Sequence, residues 1–172
     1  MSRWVPPPMD IAVAVVALLV TQAELWSIDV ESRAALSAGH AIGCLAVAFR
    51  RTAPVTAAAV SFCGLLLIPS AAGLDPAATL SWLVVALLVA GSCGYYAARP
   101  RVGLAVILAV MALSVVVQKG FVVEDVLYAW ILGGGAWAAG RAISAQTRAT
   151  RLARERVELM EDRARMQAAA AV

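Results

Sequence analysis

His40 is the sole histidine of the chain and stands between Gly39 and Ala41 in the middle of an apolar run. An imidazole at membrane depth is a candidate sensor of pH or ligand; the structural alternative is a neutral ring hydrogen-bonded to a neighbouring helix. Six acids, Glu24, Asp29, Glu31, Asp75, Glu124 and Asp125, lie between apolar runs or just before them. They could gather divalent cations or cationic peptides. Their spacing matches no calcium loop, however, and a solvated loop surface is the plainer reading. Cys44, Cys63 and Cys93 all fall inside apolar stretches without a CxxC pair, so they read as small buried hydrophobes. Gln118 and Lys119 read as snorkelling boundary residues.

No machinery for covalent or metal chemistry accompanies these groups. The glycine-rich stretch GGGAWAAG at 133–140 is embedded in an apolar run and cannot cradle phosphate. No HExxH, GxSxG or water-facing carboxylate pair occurs. The chain is therefore expected to contribute no catalytic, cofactor-binding or metal-ligating residue, and no nucleic-acid partner is expected. A transporter is poorly supported, because the apolar runs hold few charges and show no inverted repeat with broken helices.

The elements that hold these residues are membrane-like. Of the 172 residues 62% are hydrophobic, and the mean hydropathy is +0.83. Charge-free runs of this length point to membrane segments. A short proline-rich lead, residues 1–9, precedes span 1 (Asp10 to about Ala23, or to Trp26 with its interfacial end). Span 1 is preceded by Arg3 but lacks a small-x-small cleavage site, so it reads as retained. Span 2 covers about Ala34 to Phe49 and stops at Arg50-Arg51. Pro54 opens span 3, which ends near Ser70. Asp75 and Pro76 suit the cap and first turn of span 4, about Ala77 to Ala98. Span 5 is Val102 to about Val117, and Gly120 is the hinge before span 6, about Val122 to Gly140. The fold class expected is an all-α membrane protein: a six-helix transmembrane bundle of three hairpins over 10–140, with a charged cytoplasmic helix over 141–172.

Six crossings place Arg3, Arg50, Arg51, Arg99, Arg101 and Arg141 on one side, against Arg33 and Lys119 on the other. Lys/Arg excess in short loops marks the cytoplasmic face, so both termini are expected inside the cytoplasmic membrane. Acids at helix starts, arginines at helix ends and the aromatic residues at both boundaries point the same way.

Small residues recur at helical spacing, Ala35-xxx-Gly39-xxx-Gly43 in span 2 and Gly133, Gly134, Gly135, Ala136 and Gly140 in span 6. Such rows allow close backbone approach between helices in lipid, within one chain or between copies. The triple glycine also weakens span 6, which would suit a flexible relay, although close packing explains it equally well. From Arg141 to Arg165 there are seven arginines and four acids, and no proline follows Pro100. One helix can thus run on from span 6. Leu152, Leu159 and Met166 repeat every seven residues, with Ala145 one heptad earlier, forming a narrow stripe that a second copy could bury in a parallel stalk. A single solvated helix near acidic lipid is the alternative. Gly134, Gly140, Arg141, Leu152, Leu159 and Met166 are the candidate relay residues.

The start Trp4-Val5-Pro6 followed by Asp10, FRRTAPVTAA after span 2, GYYAARPR after span 4 and DVLYAWILGGGAWAAGRAISAQTRATRLARERVELMEDRA at the end resemble a known pattern. The whole chain is similar to the N-terminal membrane module of bacterial sensor histidine kinases of the nitrate-response and membrane-thermosensor type. The resemblance implies a homodimer whose last span leads into a dimerising helix with a phosphoacceptor histidine, in a segment like ERxRIARELHD. An ATP-binding domain would follow and act on a response regulator. The chain departs from that pattern by ending at MQAAAAV, about where the phosphoacceptor segment should begin. His40 lies within the membrane and cannot replace that histidine. The resemblance therefore implies either a fragment of a kinase, with ATP and Mg bound only by a downstream domain, or a stand-alone relative of its sensor that binds lipid or a partner.

Overall fold

The computed structural model describes residues 5–29, 32–72 and 80–170. Among them every regular element is helical. Helix α1 is Pro8–Ser27, α2 Arg33–Phe49, α3 Pro54–Ala71, α4 Ser81–Tyr96, α5 Pro100–Lys119 and α6 Val123–Ala170. Three of them, α1, α3 and α5, are long and apolar enough to cross a membrane; α2 and α4 are apolar but shorter. Glu31, Asp75 and the expected Asp75–Pro76 cap lie outside the described residues.

Local chemistry explains most of the boundaries. Pro8, Pro54 and Pro100 sit in first turns, where a missing N–H breaks no helical bond. Pro100 follows the end of α4 at Tyr96 and opens α5. The last three residues of α2, Val47–Phe49, tighten into a 3₁₀ turn before Arg50. Helix α5 ends at Gly120, whose φ of +78° with ψ of −173° is a conformation nearly confined to glycine. That backbone is the hinge expected at this position.

One departure was not foreseen. Cys63–Leu67 in α3 is a π-helical turn, in which the Ile68 amide donates to the Cys63 carbonyl five residues back. Pro69 two residues later has no N–H to return to the preceding turn, and its ring crowds that turn's carbonyl. Widening the helix just before Pro69 relieves the clash.

The bundle packs around Cys44, Val47, Phe62, Leu65, Val89 and Ile107. Helix α2 packs closely on α3 and α4 runs along α6, which also lies along α5, whereas α1 rests mainly on α2. Much apolar surface faces outward, as at Val16 (59% exposed), Val84 (64%) and Ile131 (71%). Apolar surface this extensive marks a membrane or protein contact.

Candidate functional site

At one end of the bundle α1 begins where α2 ends. Asp10 in the first turn of α1 is fully buried, as a carboxylate is only when paired. Nε and one terminal nitrogen of Arg50 donate to Asp10 Oδ1 at 3.0 and 2.8 Å. Arg51 Nε lies 2.9 Å from Oδ2. The Arg51 guanidinium also stacks 5.6 Å from the centre of the Tyr96 ring at the end of α4. One carboxylate thus ties α1 to both arginines after α2, and Arg51 carries the tie on to α4. Asp10 and the arginine pair were read separately, as dipole complements; the clasp between them was missed. A hairpin brings the start of its first helix beside the end of its second, so the signal was an acid and a basic pair at the same end of spans 1 and 2.

At the other end Glu24 does not act as a free loop acid. Its Oε1 accepts from the Leu80 amide at 2.6 Å and its Oε2 from the Ser81 amide at 2.9 Å. The carboxylate therefore caps α4 from 56 residues away and satisfies two of the donors that a helix start leaves unpaired. Span 4 was expected to start at Ala77, but its described helix begins at Ser81 with this distant cap. The remaining described acids are dispersed. Asp29 is 3.9 Å from Arg33, Asp125 is 3.2 Å from Lys119, and Glu124 is exposed. The structure brings no cation-collecting group together among the described residues.

Between the two ends, α1 and α2 share a polar layer. Ser37 Oγ donates to Gln22 Oε1 at 2.6 Å, Gln22 Nε2 donates to the Ser37 carbonyl at 3.0 Å, and Thr21 meets Cys44 at 3.6 Å. His40 lies within this layer, three residues from Ser37 and four from Cys44 on α2, and is fully buried. The hydrogen bond expected from His40 to a neighbouring helix is absent, since neither ring nitrogen has a partner among the described residues. Gly39 and Gly43 flank it and press on the π turn. A methyl group at Gly64 would come within 2.6 Å of the Gly39 carbonyl oxygen, so α2 and α3 meet backbone to backbone.

The candidate relay residues divide into two faces of α6. On one face Val126, Gly133, Gly140 and Ser144 are buried. A methyl at Gly140 would overlap the Gly91 carbonyl, and one at Gly94 would overlap the Trp137 backbone. Trp130 Nε1 donates to the Leu108 carbonyl of α5 at 3.0 Å. Gly140 is therefore a packing point of α6 on α4. On the opposite face Gly134 and Gly135 have nothing within 4 Å of an added methyl. Ile131, Ala138, Ala142 and Ala145 are exposed there too. Arg141 is half-buried within continuous helix, and beyond Ser144 every described side chain is exposed, including Leu152 (58%), Leu159 (59%) and Met166 (65%). Ile131, Ala138, Ala145, Leu152, Leu159 and Met166 are spaced seven apart, so the bare face of the bundle and the stalk stripe form one seam. At 1.5 Å per residue, the 48 residues of α6 span about 72 Å. The chain matches no protein-family model, no curated protein and no solved structure.

Proposed function

We propose that the chain is the membrane sensor and signal-transducing module of a two-component histidine kinase, crossing a bacterial cytoplasmic membrane six times with both termini inside. One observation carries the reading: α6 is a single helix, clamped along one face to α4 and α5 and bare along the other from Ile131 to Met166. A helix held in this way moves with the bundle as a rigid body, and its bare seam offers a second copy a parallel partner. A stimulus in the bilayer or the outer loops shifts the packing of α1 to α5. Helix α6 carries that shift past Arg141 into the stalk, which biases the dimeric kinase core and, through it, a response regulator. ATP and Mg would be bound by that core and not by this chain.

The test is one of helical phase. With the chain fused after Val172 to a histidine-kinase core, insertion of one to four alanines after Ala145 rotates the stalk by about 100° per residue. Autophosphorylation should rise and fall with that rotation. A flat response would overturn the relay and favour the second reading, a stand-alone multispan protein whose arginine-rich helix docks on lipid or a partner. That reading draws on the exposure of the arginines from Arg148 to Arg165.

A further inference from the structure

An apolar slot of about 670 Å³ runs lengthwise between α1 and α4. Met9, Val13, Val16 and Val20 of α1 form one wall, and Val84 and Leu88 of α4 form the other. The slot is open along its side, where Val16, Val20 and Val84 are more than half exposed. Each end is bridged by a polar contact between the same two helices. At one end the Glu24 carboxylate holds the first amides of α4. At the other, Arg51 reaches from Asp10 of α1 to the Tyr96 ring of α4. These bridges keep the walls apart at a fixed spacing, so the groove is a built feature of the bundle.

We infer that the slot is a binding site for an anionic phospholipid, with one acyl chain between α1 and α4 and the headgroup phosphate on Arg51. The walls are apolar from Met9 to Val20 and from Val84 to Leu88, as an acyl chain requires, and the polar lining residues Thr21, Glu24 and Ser81 are confined to the end away from Met9. The charge at the Met9 end fits a phosphate: two arginines face one carboxylate, leaving one positive charge in excess, and the Arg51 side chain keeps 42% of its surface exposed. A bidentate guanidinium is well matched to phosphate oxygens. The inference rests on the chain lying in a bilayer but not on the kinase relay.

The test uses the full chain purified in mild detergent and mixed with phosphatidylglycerol or phosphatidylcholine of identical acyl chains, with bound lipid counted by native mass spectrometry. The wild type should retain one phosphatidylglycerol about fivefold more often than phosphatidylcholine, the gain expected for one basic side chain at an anionic lipid. Arg51→Gln should abolish that preference. Val16→Trp fills the slot from an exposed position, and it should lower retention of both lipids. Equal retention of the two lipids by the wild type would overturn the site. So would a preference that survives Arg51→Gln, which would place the lipid on Arg99 and Arg101, or retention unchanged by Val16→Trp. None of these outcomes alters the helical-phase result, so the two readings fail separately.

Discussion

Asp10 shows how much one buried charge can organise. Its carboxylate has no exposed surface and two arginine partners, so removing the charge leaves two guanidinium groups facing each other around a neutral amide. Breaking a buried pair in this way costs about 3–5 kcal/mol. Asp10→Asn should therefore lower the thermal unfolding midpoint in detergent markedly, while Asp29→Asn, at an exposed acid, should leave it unchanged. Equal midpoints for the two variants would show that the clasp is not holding α1 to α2. Glu24 makes a second residue-scale case. Glu24→Ala frees the Leu80 and Ser81 amides, and a lost cap of about 1 kcal/mol corresponds to about fivefold faster hydrogen exchange at those two positions. The glycines of α6 separate by face: Gly140→Ala must push α4 and α6 apart and lower stability, whereas Gly134→Ala meets open space and should be tolerated. The sequence placed Asp10 at the start of span 1 and Glu24 among the loop acids, and it picked out the glycine rows. It did not show their partners, because 40 and 56 residues of chain separate the groups that meet.

At the scale of elements, the boundaries were readable because they are set locally. Prolines open α1, α3 and α5, arginines close α2, and Gly120 turns the chain before α6. The π turn in α3 was legible in principle, since Pro69 stands inside an otherwise continuous apolar helix. Span 3 was read as one regular helix from Pro54 to about Ser70, without an account of Pro69. Its consequence is structural: the widened turn brings Gly64 under Gly39 and Gly43 beside buried His40. Gly64→Ala should wedge α2 from α3 and cost about 1–3 kcal/mol in a denaturant or thermal unfolding series. An unchanged midpoint would mean that the backbone contact contributes nothing. His40 carried the opposite lesson. Type and depth singled it out, but the bond expected to anchor it is not there, because which neighbour an imidazole faces depends on helix rotation.

For the whole molecule, the arrangement is a bundle braced at both ends, by Asp10–Arg50–Arg51 at one and Glu24 at the other, with a single long helix fixed to its α4–α5 side. Hydropathy and charge pattern made the helical architecture and the unbroken α6 legible. The two-faced character of α6 was not, because seven-residue spacing in the stalk does not reveal which side of its first half is left bare. The central claim is that α6 leaves the bilayer near Arg141 as uninterrupted helix. A spin-label scan of residues 128–160, one site at a time in lipid nanodiscs, tests it most directly through the accessibility of each label to oxygen and to a water-soluble relaxant. The account predicts a period of about 3.6 residues that continues in phase through Arg141, with the exposed side changing from lipid to water there. Loss of that period between residues 138 and 145, or water access on the Ile131–Gly135 face, would contradict it.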